Sequence, residues 1–258
     1  MATKIDSTLR ITPPTPEHLP GLRGAKTIET PGLREIKVVV EQLFGDSGII
    51  LIDGKPGVGK TFGTKHVLAS VDVPVHWVDM PDTPKGKEAN TRIFMAVTGR
   101  RPPDRMTEFA LTQETVDVLD GLESVLAIDE AQNMTSSALR QVRFLHDRPT
   151  TKALLILLGP GVTDVVRRVP ELDSRVARRI NINALSGSQM RHLLPELHPM
   201  LAATDGDVIT RLSEYAKGNL RNWARIVEVA SNLRIPCNSG IDEKAANFII
   251  RSITGGGR

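Results

Sequence analysis

The chain has 258 residues, 40% apolar and 24% charged, the makeup of a globular protein able to bury a core in one large domain or two modest ones. Its net charge of +3 hides an asymmetry: residues 1–139 hold 15 Lys/Arg against 19 Asp/Glu, a balance of −4, and residues 140–258 hold 18 against 11, or +7, a bias that attracts polyanions. No apolar run approaches the roughly 20 residues of a membrane span, no secretory leader is legible at the N-terminus, and the single Cys237 excludes an internal disulfide, so a cytoplasmic protein with no membrane partner is expected.

Residues 1–30 are Pro-rich and without periodicity, which predicts an extended or mobile arm. Apolar residues at 33, 36, 39, 40 and 43 give a helix over 31–43. The run Ile49-Ile50-Leu51-Ile52 is a buried strand. It leads through Asp53 into GKPGVGKT, Gly54 to Thr61, and a helical segment over 62–70 follows. The spacing Gly54-x4-Gly59-Lys60-Thr61 is the P-loop pattern. Glycines let the backbone turn several N–H groups inward. With the positive end of the following helix these groups form an anion site. Gly54, Lys55, Pro56, Gly57, Val58, Gly59, Lys60, Thr61 and Phe62 are the expected nucleotide cradle. Lys60 is placed to reach the β- and γ-phosphates of ATP, and the Thr61 hydroxyl to ligate Mg²⁺.

Further along, 73–78 reads as a second strand, 86–97 and 107–119 as helices separated by the breaker Gly99-Arg-Arg-Pro-Pro103, and 124–128 as a third strand. A helix follows over 135–146, a fourth strand over 153–158 and a fifth over 179–182. Strands alternating with helices imply a parallel sheet covered on both faces. Beyond about residue 185 only helices are predicted, at 188–197, 207–216, 220–233 and 242–250. The expected organisation is therefore an arm over 1–30, an α/β nucleotide-binding domain over 31–185 and a small all-helical domain over 186–258.

The third strand ends in two adjacent acids, Asp129 and Glu130. This resembles a Walker B segment: Asp129 belongs to the Mg²⁺ shell, and Glu130 orients or deprotonates the attacking water. Taken together, GKPGVGKT, LAIDEAQ and the later GNLRNWARIV resemble an AAA+ ATPase, which implies a five-stranded parallel sheet with flanking helices and a helical lid. The resemblance places Arg221, in GNLR, at the sensor-2 position facing the nucleotide phosphates. It makes Arg175, then Arg179, candidates for an arginine finger acting on a neighbouring subunit; Glu171 and Asp173 are alternative, purely structural partners for them. The polar residue that the family usually offers after the fourth strand is missing, since Leu157-Leu158-Gly159-Pro160-Gly161 stands there and Thr163 is a weak substitute.

Within AAA+ proteins the chain resembles the transposition regulators of the MuB, TnsC and TniB group, with the related ExeA-type ATPases. The phrase DEAQNMTSSALRQVRFLHD, 129–147, carries most of this. The resemblance implies ATP-driven rings or helical filaments of the chain on double-stranded DNA, recruitment of a transposase and hydrolysis that dismantles the assembly. The expected DNA contacts are Lys85, Lys87, Arg100, Arg101, Arg105, Arg140 and Arg143, binding phosphates without reading sequence. The alternative is a helicase loader or replication initiator, or an ExeA-like protein-remodelling ATPase.

Overall fold

The computed structural model describes residues 22, 24–84 and 87–255, which form two compact units. The first holds residues 32–56 and 60–182; the second holds 22, 24–31, 57–59 and 183–255.

The first unit is a five-stranded sheet in the order β2-β3-β4-β1-β5, with every pairing parallel. Its elements are α1 (Pro31–Leu43), β1 (Ile49–Gly54), α2 (Lys60–Leu68), β2 (Val75–Asp79), α3 (Glu88–Thr98), α4 (Glu108–Leu119), β3 (Glu123–Asp129), a 3₁₀ turn (Ala131–Asn133), α5 (Ser136–His146), β4 (Lys152–Leu158), α6 (Val162–Arg167), α7 (Pro170–Asp173) and β5 (Val176–Ile182). The three inner strands are apolar on both faces because helices cover both. Ile49, Ile50, Leu51 and Ile52 of β1 are all fully buried, each worth roughly 1.5–3 kcal/mol relative to exposure. Edge strand β5 instead exposes Arg178, Arg179 and Asn181.

Two of these helices start where the sequence provides a threonine cap. The Thr107 and Thr135 hydroxyls accept the Ala110 and Ala138 N–H groups at the starts of α4 and α5, each cap typically worth about 1 kcal/mol. Residue 158 at the end of β4 pairs with Ile52 of β1, and Leu157 pairs with Ile128 of β3. The end of β4 therefore lies between the strand that feeds the P-loop and the strand that carries the two acids.

The second unit contains α8 (Gly187–Leu197), α9 (Pro199–Ala202), α10 (Gly206–Ala216), α11 (Leu220–Asn232) and α12 (Glu243–Thr254) around Trp223, Met200, Leu212, Ile226 and Ile249, all fully buried. A capping box at Ser186 and Gln189 starts α8. Of the segment expected as an arm, residues 1–21 and 23 lie outside the described residues. Residues 22 and 24–30 have neither helix nor strand, yet Leu22 and Ile28 are buried in this helical core and the Lys26 N–H bonds the Leu197 carbonyl oxygen at 2.9 Å. Two apolar side chains are enough to tie an otherwise irregular stretch to the core.

Candidate nucleotide-binding site

The loop after β1 is built around Lys60. Its side chain is buried, and Nζ donates to the carbonyl oxygens of Gly54 at 2.6 Å and Lys55 at 3.1 Å, holding the ammonium inside the turn. Lys60 also opens α2, whose first turn carries no acidic residue, so no side-chain carboxylate competes there for an incoming anion. Gly57 has a φ of +82°, and a Cβ on it would overlap Asn219 Oδ1. Residues 57–59 group with the second unit, in which the Arg221 N–H reaches the Gly57 carbonyl oxygen at 3.4 Å. Arg221 is exposed at the start of α11, where Asn219 is the N-cap. Val58 is buried, and Phe62 stacks on His66 with ring centroids 6.0 Å apart.

The two acids lie at the end of β3 as expected, in very different settings. Asp129 is buried and accepts hydrogen bonds from the Thr61 hydroxyl and from the Glu130 N–H at 2.9 Å. Burial lifts its carboxyl above the ordinary carboxylate range; those two hydrogen bonds oppose the lift, and the nearby Glu130 and Asp79 carboxylates add to it. A buried carboxylate held high by burial and like charges is stabilised by a cation. Together with the Thr61 hydroxyl it makes a hard-oxygen donor pair suited to Mg²⁺. Among the described residues no cluster of three or more His, Cys, Asp or Glu could hold a metal alone, so substrate oxygens and water would supply the remaining ligands.

Glu130 is exposed and stands in the left-handed region with φ +53°. That conformation is uncommon for a residue with a side chain, and it clusters at functional sites. It turns the chain into the 3₁₀ segment, so that Gln132 Nε2 donates to Glu130 Oε2 at 2.6 Å.

Asp53 is a site residue that sequence reasoning passed over as the end of a strand. Its Oδ1 accepts the N–H groups of Gly54 at 2.7 Å and Gly161 at 2.8 Å, and its Oδ2 accepts the Thr163 N–H at 3.0 Å. Burial pushes its carboxyl up, but the N–H groups of Gly161 and Thr163, the Thr163 hydroxyl and the Gly54 N–H outweigh it and hold the group below its usual value. One carboxylate thus ties the start of the P-loop to the loop that follows β4. Thr163, considered as a stand-in for the missing polar residue, is committed to Asp53. The only hint in the sequence was an acid directly preceding the first P-loop glycine.

The structure brings most of the other expected cations into ion pairs. Arg175 Nε bonds Asp147 Oδ1 at 3.0 Å, and Arg179 pairs with Asp173 at 2.5 Å. Arg140 bonds Glu171 at 2.8 Å, Arg143 pairs with Asp147 at 3.5 Å, and Arg100 pairs with Glu114 while lying over the Phe94 ring. Lys87 is spent on backbone, donating to the Met106 carbonyl oxygen at 2.7 Å. Arg101 and Arg105 are exposed and have no acidic partner among the described residues. Lys85 lies outside the described residues.

Residues 43–166 match the family model described as an AAA domain. No curated protein sequence matches the chain. Among solved structures, the chain is similar to the Aeropyrum pernix ORC1 protein in complex with DNA (TM-score 0.64, 19% identity, covering 86% of this chain and 64% of that one). It is similar also to Cdc6p from Pyrobaculum aerophilum (TM-score 0.65, 14% identity, 89% and 66% covered). A third likeness is to the Thermotoga maritima RuvB Holliday junction branch migration motor (TM-score 0.55, 13% identity, 90% and 73% covered). The chain thus spans slightly less than two thirds of the ORC1 and Cdc6p chains. These likenesses establish the fold, which is the AAA+ P-loop fold with a five-stranded parallel sheet and flanking helices.

Proposed function

Starting from an AAA+ P-loop fold, we propose that the protein is an ATP-hydrolysing, DNA-associated regulator that oligomerises on duplex DNA and recruits or activates a transposase. The observation that carries the ATPase part is the convergence of Lys60, Thr61, Asp129 and Glu130 within one unit, with the Thr61 hydroxyl hydrogen-bonded to the Asp129 carboxylate. In this reading the loop N–H groups and Lys60 bind the phosphates of ATP. Thr61 and Asp129 would hold Mg²⁺, which when bound neutralises phosphate charge. Glu130 accepts a proton from water as the water oxygen bonds the γ-phosphorus and the bond to the ADP oxygen breaks. Arg221 contacts the phosphates, and Arg175, or else Arg179, acts on the nucleotide of an adjacent subunit.

The transposition part is supported by the 129–147 sequence, and its DNA contact by Arg101 and Arg105, which are exposed and have no acidic partner among the described residues. A second reading, a replication initiator or helicase loader, is favoured by the likeness to ORC1 and Cdc6p, the ORC1 structure being a DNA complex. The test is particle size by light scattering and negative-stain imaging, with a non-hydrolysable ATP analogue, with and without duplex DNA. Wild-type assemblies that require both ligands, and that Lys60→Ala fails to form, support the DNA-scaffold reading. Nucleotide-dependent assemblies indifferent to DNA refute it and favour the loader.

A further inference from the structure

We infer that Gln132 is a positioning residue for hydrolysis: its side-chain amide, wedged against Gly159, holds the Glu130 carboxylate in the orientation from which it accepts the proton of the attacking water. This rests on the ATP-hydrolysing reading above and adds to it a residue that the P-loop and Walker B patterns do not contain.

Four features converge. The Gln132 Nε2–H donates to Glu130 Oε2 at 2.6 Å, a short, charge-assisted bond. The opposite end of the amide, Oε1, is buried with no hydrogen-bond partner. A buried carbonyl left unsatisfied is a standing cost, which the charge-assisted bond at the other end of the amide offsets. The carbonyl end lies next to Gly159, whose φ is +155° and where a Cβ would overlap Gln132 Oε1. The backbone wall is fixed, because the Gly159 N–H bonds the Ile52 carbonyl oxygen at 3.1 Å and Asp53 anchors the Gly161 and Thr163 N–H groups.

Local backbone supplies the fourth feature. Residues two apart on an α-helix do not face one another. Here Glu130 is left-handed, and the turn after it is closed by Asn133 N–H to the Glu130 carbonyl oxygen at 3.0 Å and Met134 N–H to the Ala131 carbonyl oxygen at 3.1 Å. The turn is anchored by buried Ala131 and Met134. These constraints bring Gln132 alongside Glu130.

The amide engages Oε2 alone, and among the described residues Glu130 Oε1 has no hydrogen-bond donor, so that oxygen is the one presented to water. The arrangement also accounts for the glycine at the end of β4. The Gln132 amide reaches across from the β3 turn to the space beside Gly159, where a Cβ would overlap Oε1 and where the positive φ also favours glycine.

The test is Gln132→Met, which keeps length and approximate volume but removes both the donor and the acceptor. ATP turnover is titrated with and without duplex DNA, and nucleotide affinity is measured separately with a fluorescent ATP analogue. The expected result is a kcat about tenfold lower, the worth of one hydrogen bond to a charged group, with nucleotide Kd unchanged. In a Glu130→Gln background the same substitution should cause no further loss, because the two residues act as a unit. Gln132→Glu, which replaces the donor by a second carboxylate in the same shape, should lower kcat at least as much and serves if the Met variant does not fold. A kcat at or above wild type, or a loss that multiplies with that of Glu130→Gln, overturns the inference. Absence of turnover in the wild-type chain overturns the hydrolysis reading itself, and the positioning role with it.

Discussion

Replacing Asp53 by Asn isolates the contact that joins the P-loop to the loop after β4. The substitution is nearly isosteric. It keeps one acceptor oxygen, sufficient for the N–H groups of Gly54 and Gly161, and puts an NH₂ opposite the Thr163 N–H that Oδ2 now accepts at 3.0 Å. One charge-assisted bond becomes a donor–donor contact and the other two lose their charge. A hydrogen bond to a charged group is worth roughly 1.5–3 kcal/mol. Asp53 is only half-buried, so screening favours the lower part of that range, and about 2 kcal/mol is expected. For a chain of this length that is a fall in Tm of roughly 4–8 °C.

The pH dependence has a definite sign. The folded-state value is lowered, so the carboxylate's contribution is fully present above its ordinary value, about 3.9, and is lost as pH falls through the lowered folded value. The assay is urea unfolding of wild type and Asp53→Asn across pH 7 to 3. The midpoint gap should be constant near neutrality and close as the acid range is entered. Equal midpoints at pH 7, or a gap that does not change down to pH 3, would refute the argument that an ionised Asp53 holds the two loops together.

Three further outcomes are expected. Glu130→Gln should bind ATP with wild-type affinity yet accumulate in the assembled state, since it loses the group that takes the proton; wild-type turnover in that variant excludes Glu130 from the role. Arg175→Ala breaks an exposed pair with Asp147 and should cost at most about 1 kcal/mol of stability, while depressing turnover only when subunits are assembled. Equal turnover in assembled wild type and variant would move the finger to Arg179 or dismiss it. Arg101→Ala with Arg105→Ala should weaken duplex binding across sequences and reduce the slope of log K against log[salt] by about 2, and an unchanged slope would place the DNA phosphates elsewhere.

The long elements were legible because each carried a sufficient pattern. The helix expected at 31–43 is α1, the apolar run at 49–52 is the buried part of β1, and the strand expected at 153–158 is β4 with one more residue. The elements that escaped notice are α6, α7, α9 and the 3₁₀ turn after β3, of six residues or fewer. Too few turns are present in such segments for a period to show. The strand order was equally hidden, because nothing local states that β4 lies between β1 and β3. The same limit applied to the site. Lys60, Thr61, Asp129 and Glu130 sit in short patterns whose spacing carries the chemistry. Asp53 acts through partners 108 and 110 residues away, and Gln132 lies against a glycine just after β4.

The charge asymmetry shows why counting residues is a poor guide to a binding surface. The second half of the sequence carries a balance of +7, yet Arg140, Arg143, Arg175 and Arg179 are each matched by Glu171, Asp147 or Asp173. The Arg140, Arg143 and Arg175 side chains thus surround two acids. The Glu171 backbone N–H, then Arg140, hold the Glu171 carboxyl below the usual carboxylate value; burial pushes the Asp147 carboxyl up, and hydrogen bonds from His146 and Arg175 with the charges of Arg175 and Arg143 bring it below that value. Such a network keeps its acids ionised and its arginines oriented. It contributes little to stability at an exposed surface, so a phosphate or a neighbouring subunit could displace an acid at small cost. These arginines therefore suit contacts that form on assembly, such as a finger reaching an adjacent nucleotide. Arg101 and Arg105, exposed beside the break between α3 and α4 and without acidic partners among the described residues, suit first encounter with a polyanion, which the acidic first half of the chain would otherwise repel.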